Sequence, residues 1–409
     1  MFFLLPYGSD RRTSRFPAIT CALIAANVVV FLWLLPVDYR SVMRTFGLTP
    51  YHPTMGCILT SMFVHADVLH LAWNLLFLWL FGPNVEDALG RLEYAIFYFG
   101  SGFAAALLHV VVVHTFIPAA ADVPVVGASG AIAGILGIFA VRFYRTRLKI
   151  FWYFGIFVYP LRWGTFTIPA MVGLGIWFVQ QLAGGVLSIV NPESGGVAYW
   201  SHIGGMVFGM ALAYALHMGL AGSKEYLLAD AMSDLERGTT RDAVANFRRL
   251  VDRDPEDADA HGELARAYAM QLDSEGAVSH YQQSIALHLG RGQRDEAVAR
   301  FAELKHYYRN ARLDLRSEYQ LARCLMEANC HAPALQIMED IASTYPGTPE
   351  AEMALMKAGD LHLDTFGNAR NALRCYERFL REYPHSAYGT MVAKSLEEAR
   401  TRLHQDAPG

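Results

Sequence analysis

A serine, two histidines and an asparagine lie inside stretches that otherwise look built for a lipid bilayer. Ser129 sits in "VVGASGAIAGILG" (125–137), which carries no charge. His202 opens "HIGGMVFG", and His70 and Asn74 bracket "HLAWN". A hydroxyl, an imidazole and two side-chain donors are the parts of an acyl-transfer site: nucleophile, general base and stabilisers of a tetrahedral oxyanion. Each residue also has a plainer reading. A serine among glycines in a membrane helix is usually a small packing residue. His70 and Asn74, at i and i+4 on one helix face, would serve equally as polar groups bonding across helices. An intramembrane histidine is costly and rare, which favours a function for His202.

Whether these groups meet depends on the elements that carry them. A bilayer core of about 30 Å needs about 20 apolar residues as a helix. Six stretches are candidate spans: 17–36, 67–82, 94–115, 125–142, 164–185 and 197–219, the second being short unless it extends into its flanks. The apolar piece 150–160 is too short to cross and is expected to be interfacial or re-entrant. Arg11, Arg12 and Arg15 precede the first span, and Arg142, Arg145, Arg147, Lys149 and Arg162 lie between the fourth and fifth. Arg40 and Arg44 dissent mildly. The positive-inside rule then puts both chain ends in the cytoplasm. Spans two, four and six run inward, which brings Ser129, His202, His70 and Asn74 to one depth, about 5–10 Å below the outer surface. Gly127, Gly130 and Gly134 in span four, with Gly205 and Gly209 in span six, allow the two backbones to approach closely. No acidic residue shares that depth, so a Ser–His dyad is expected rather than a triad.

The charges divide the 409 residues. Only 11 of the 34 Lys and Arg, and 8 of the 38 Asp and Glu, fall in 1–222. A membrane domain over 1–222 and a cytoplasmic domain over 223–409 are expected, with "GLAGS" (219–223) breaking the apolar pattern between them. A net charge of −4 argues against a nucleic-acid partner. The five scattered cysteines fit neither a disulfide framework nor a zinc site. No metal or phosphate motif appears, so no cofactor is expected. "MFFLLPYGSDRR" is too short for a signal peptide.

The second half repeats. "DAVANFRRLVDRDP" (242–255) returns as "GAVSHYQQSIALHL" (276–289) at an offset of 34, and "APALQIMEDIASTYP" (332–346) as "NALRCYERFLREYP" (371–384) at 38. "DEAVARFAELKHYY" (295–308) is an out-of-phase unit. Paired helices at this period resemble tetratricopeptide repeats, whose stacked pairs form a concave surface for a protein or peptide ligand. The plainer alternative is a helical tail that orients or dimerises the chain.

Residues 1–220 resemble the rhomboid intramembrane serine proteases. The resemblance rests on "GASG" around Ser129, "HIGGMVFG" from His202, "HLAWN" from His70 to Asn74, "FVHAD" with His65, and "FGPNVEDALG" with Glu86 and Gly90. It implies an all-α fold, a six-helix membrane bundle followed by the soluble helical repeats. It implies Ser129 as nucleophile, His202 as general base and acid, and an oxyanion site of His70, Asn74 and the Ser129 N–H. His65 and Glu86 would be structural, and span five with the loop before span six would act as gate and cap. Many members carry an aromatic residue four positions after the serine, where this chain has Ala133, leaving Tyr199 or Trp200 to support the His202 ring. The implied protein is a multi-pass protease of the bacterial inner membrane whose substrates are transmembrane helices of other proteins. The alternative is a non-catalytic membrane scaffold.

Overall fold

The computed structural model describes residues 2–156, 159–191 and 198–405. Two compact units divide after Ser223: Met1–Ser223 and Lys224–Gly409.

The first unit is a bundle of apolar helices with a small sheet. Its helices are α1 (Ala18–Leu34), α2 (Tyr39–Phe46), α3 (Met55–Ser61), α4 (Val68–Leu89), α5 (Arg91–Phe116), α6 (Ser129–Arg142), α7 (Ala170–Val190) and α8 (Tyr199–Ala215). By length and composition α4, α5 and α7 are each able to cross a membrane. A bent pair, α8 with α9 (Met218–Glu236), is a fourth candidate, whereas α1 and α6 are shorter apolar helices.

At the centre lies α6, with every residue from Gly130 to Ala140 buried. An apolar helix without a polar face is stable only when surrounded. Glycine lets its neighbours close in. A Cβ built on Gly205 or Gly209 of α8 would fall on the carbonyl oxygen of Gly130 or Gly134. The paired numbers rise together, so α6 and α8 run parallel. On another side of α6, Gly130 faces Ala105 and Gly134 faces Ser101 of α5.

Elsewhere a buried carboxylate joins two helices. Glu86, near the end of α4, accepts from the N–H groups of Ile19 and Thr20 (2.9 and 2.8 Å) and from the Thr20 hydroxyl (2.7 Å). Pro17 gives the α1 N-terminus no side-chain cap, so Glu86 takes up donors that the helix itself cannot satisfy. Gly90 then turns the chain from α4 into α5 at φ +89°, a conformation open to glycine.

Three expectations are corrected. The unit is not all-α: β1 (Phe2–Ser9), β2 (Arg147–Ile156) and β3 (Tyr159–Pro169) form an antiparallel sheet in the order β1-β2-β3. The piece read as interfacial or re-entrant, 150–160, belongs to the β2–β3 hairpin, apart from residues 157–158, which lie outside the described residues. Aromatic and β-branched residues favour a pleated surface, and alternate residues Leu148 and Ile150 point into the core. Because β3 runs to Pro169, α7 starts at Ala170 rather than at 164. Second, α6 starts at Ser129, not at 125: Val125 pairs with Leu48 in an isolated bridge, and Gly127 has φ +122°. Third, "GLAGS" (219–223), expected to break the pattern between the two domains, is helical, within α9. Its small residues serve packing: Gly219 lies against Val141, and Gly222 against the Arg142 carbonyl.

The second unit is a run of helices: α10 (Thr240–Arg253), α11 (Ala258–Met270), α12 (Ser274–Gly290), α13 (Arg294–Tyr307), α14 (Leu315–Glu327), α15 (His331–Thr344), α16 (Pro349–Asp360), α17 (Ala369–Glu382) and α18 (Gly389–Gln405). Phe247, Leu264, Tyr281, Ile341 and Phe379 are among its buried residues. A square of charges joins α11 to α13. Arg266 meets Glu303 and Glu263 (2.7 and 2.8 Å), and Arg300 meets Glu263 and Glu303 (2.9 and 3.1 Å).

The close approach of α6 and α8 makes a prediction. Gly205→Leu drives a side chain into a backbone carbonyl, which cannot swing aside. It should destabilise the protein by at least the about 1–3 kcal/mol typical of overpacking. Gly175→Ala is the control, since a Cβ there meets nothing within 4 Å. Thermal melting in detergent should separate the two variants, and equal melting would show that the helices are not in backbone contact.

Candidate active site

Ser129 is the first residue of α6. The opening N–H groups of a helix lack intrahelical acceptors and carry the positive end of its dipole. Ser129 therefore presents a hydroxyl and a backbone donor at one place. The chain reaches this point through Gly127, where a side chain would be excluded twice. Its φ of +122° disfavours one, and a built Cβ would lie 2.8 Å from both Cε1 and Nε2 of His70. That same point is 3.6 Å from Ser129 Oγ, so the His70 ring and the serine hydroxyl flank one small volume.

His202, in the first turn of α8, completes the contact. Its Nε2 lies 2.7 Å from Ser129 Oγ. Its Nδ1 lies 2.8 Å from Oε1 of Gln181 on α7. The ring is accompanied by Trp177, with centroids 5.8 Å apart and planes inclined at 35°. The expected supports, Tyr199 and Trp200, do not take this place. They line the surrounding cavity and pack against Gly184 and Gly185 of α7.

His70 is held by its own helix start. Asp67 caps α4 by accepting from the His70 N–H at 2.8 Å. The Ala66 N–H donates to His70 Nδ1 at 3.4 Å, which leaves Nε2 of the neutral ring as a donor on the side of Gly127. His65 backs the ring edge-on, at 5.2 Å between centroids, and its Nδ1 lies 3.3 Å from the Phe63 carbonyl. Asn74 commits one amide hydrogen to the His70 carbonyl at 3.0 Å. A second hydrogen remains on that nitrogen.

Ser129, His202, His70 and Asn74 all line one cavity of about 820 Å³, shared with Trp177 and His109. Glu86 and Gly90 do not. They sit at the far end of α4, beside α1 and at the turn into α5. Gln181, Trp177 and His109 were missed by the sequence reading. The available signal for Gln181 and His109 was a polar side chain inside an apolar run. The loop expected to cap the site includes residues 192–197, which lie outside the described residues.

An apolar helical bundle thus encloses a hydrogen-bonded serine and histidine at a cavity. Residues 53–219 match the rhomboid domain, and residues 228–288 and 353–386 match two tetratricopeptide repeat models. The chain carries a rhomboid domain followed by tetratricopeptide repeats, and is an integral membrane protein. Rhomboid protein 1, mitochondrial, of Saccharomyces cerevisiae is 29% identical over 191 residues, covering 39% of this chain and 53% of the yeast protein. The presenilin-associated rhomboid-like protein, mitochondrial, of Bos taurus is 30% identical over 196 residues, 46% of each chain. A Bacillus subtilis rhomboid homologue, YdcA, is 28% identical over 128 residues, covering 30% of this chain and 61% of its own. The chain spans about half the length of the first two relatives. Both are mitochondrial, so kinship does not carry the expectation of a bacterial inner membrane.

The geometry around Gly127 is testable. Gly127→Ala places a methyl group against the His70 ring and strains the backbone, at a cost of about 1–3 kcal/mol. Reaction of Ser129 with a fluorophosphonate should slow far more than the melting temperature falls. A variant that melts early yet reacts at the normal rate would show that His70 and Ser129 do not share a site.

Proposed function

We propose that the protein is an intramembrane serine endopeptidase that cuts transmembrane helices of other proteins. The observation that carries this reading is the 2.7 Å contact between His202 Nε2 and Ser129 Oγ inside the cavity. In the mechanism, Ser129 Oγ attacks the scissile carbonyl carbon while His202 Nε2 takes the hydroxyl proton. The new oxyanion accepts from the Ser129 N–H, His70 Nε2 and the free hydrogen of Asn74. His202 then gives its proton to the leaving amine, and water, activated by the same imidazole, hydrolyses the acyl-enzyme.

In this reading α1, α4, α5, α6, α7 and α8 all cross the bilayer. Residues 125–128 extend the short α6 as irregular backbone, which a membrane protein tolerates where it is buried in protein or lines a cavity. The basic residues put both chain ends on one side, the cytoplasm, and the cavity opens toward the other. A helix hides its carbonyls from a nucleophile, so substrates weakened by Gly, Pro or small residues near the cut are favoured. The repeat unit would bind a cytoplasmic protein or peptide.

Ser129→Ala and His202→Ala should each abolish cleavage of a model transmembrane substrate in detergent while melting as the parent does. Near-normal turnover by either would overturn the mechanism. A parent chain that binds substrate but neither cuts it nor reacts with a fluorophosphonate would instead mark a scaffold.

The oxyanion donors should behave differently. Losing one typically costs about 100- to 1,000-fold in rate. His70→Ala and Asn74→Ala should therefore slow turnover on that scale yet leave Ser129 open to slow labelling. Unchanged rates in both would remove α4 from the site.

A further inference from the structure

The Ser129–His202 pair is two residues only if the imidazole needs no orienting partner, and a third group touches the ring. Gln181 is buried at 5% exposure, and its amide oxygen lies 2.8 Å from His202 Nδ1. The other end of the amide settles which atom faces the ring. Gln181 Nε2 points back to its own helix, 3.4 Å from the Trp177 carbonyl. The oxygen therefore faces His202 and accepts, so Nδ1 carries the ring hydrogen. In a neutral imidazole this leaves Nε2 bare, and Nε2 is the atom beside Ser129 Oγ. Trp177, four residues earlier on the same face of α7, limits the tilt of the ring.

We infer that Gln181, braced by Trp177, is the positioning residue of the general base: it fixes the tautomer and direction in which His202 accepts the serine proton. This rests on the protease reading above. It gives a neutral amide the orienting part that a carboxylate plays in a serine triad. Among the described residues, the titratable groups facing His202 are His70 from α4 and His109 from α5, neither of them a carboxylate. Without Gln181, either tautomer of the ring is available. The form with hydrogen on Nε2 cannot take a proton from Ser129.

Gln181→Met keeps the length and packing of the side chain but accepts no strong hydrogen bond. Gln181→Glu restores an acceptor oxygen at the same reach. For Gln181→Met, kcat on a model transmembrane substrate should fall about tenfold or more, the scale of one buried hydrogen bond. KM should stay within about twofold, since no substrate contact is lost. The rate of Ser129 labelling by a fluorophosphonate should fall in step with kcat. Gln181→Glu should recover most of the lost kcat. All variants are scored per molecule of monodisperse, folded protein, with melting recorded alongside. An unchanged kcat in Gln181→Met, or a Gln181→Glu variant no better than Gln181→Met, overturns the inference. So does a loss that appears in KM alone. These outcomes are distinct from failure of the protease reading, in which the parent chain itself neither cleaves nor labels.

Discussion

The contact on which the first unit depends is made by backbone, not by side chains. Carbonyls of α6 occupy the places where side chains of Gly205 and Gly209 would stand. Two parallel helices at that separation have their register fixed to within a fraction of a turn. Ser129 lies one residue before Gly130, and His202 lies three before Gly205. Once the glycines interlock, the hydroxyl and the imidazole face each other without further adjustment. The remaining elements add to this pair. Across Gly127, α4 brings His70, and α7 brings the amide that touches the imidazole on its other nitrogen.

This arrangement explains which parts of the site were legible from sequence. Ser129 and His202 stood out because polar groups are expensive in an apolar run, and the flanking glycines announced close approach. The spacing of His70 and Asn74 put them on one face of a helix. Gln181 was as visible as these, being a polar residue in an apolar stretch. It escapes a reading by the serine-triad template because that template's third member is an acid, not an amide. Trp177 was illegible, since an aromatic residue in a membrane helix has many uses and only the packing of α7 on α8 selects this one. The start of α6 was misread because hydropathy reports burial, not helicity: Val125 and Val126 are as apolar in an extended segment as in a helix. The same limit hid the sheet: the apolar residues of 147–156 and 159–169 are rich in aromatic and β-branched types, which favour a strand over a helix.

The repeat unit shows a periodicity that survives a change of spacing. The offset of 34 joins α10 to α12, whereas the offset near 38 joins α15 to α17. The extra length falls after α16, where Leu361–Thr365 forms a π-helical turn. A π-turn takes in added residues without abandoning the helix axis, so the following helix still packs. Tyr376 of α17 lies against Gly359 of α16, close enough that a Cβ there would meet its ring. Period alone located the helices. It could not say which turn absorbs the difference, because several residues before Gly367 would serve as well.

The sheet bears on the order in which the molecule assembles. The strand β1 is synthesised well before its partner β2: Phe2 pairs with Phe154 and Leu5 with Phe151. Helices α1 to α6 are synthesised between the two. Contacts so distant in sequence form late, because the intervening chain must be organised before closure is rewarded. An unpaired β1 is meanwhile a short edge strand able to pair with any extended neighbour. Closure of β1 on β2 therefore records that the chain between them has been threaded, and the sheet serves as a clasp fastened after the helices are in place.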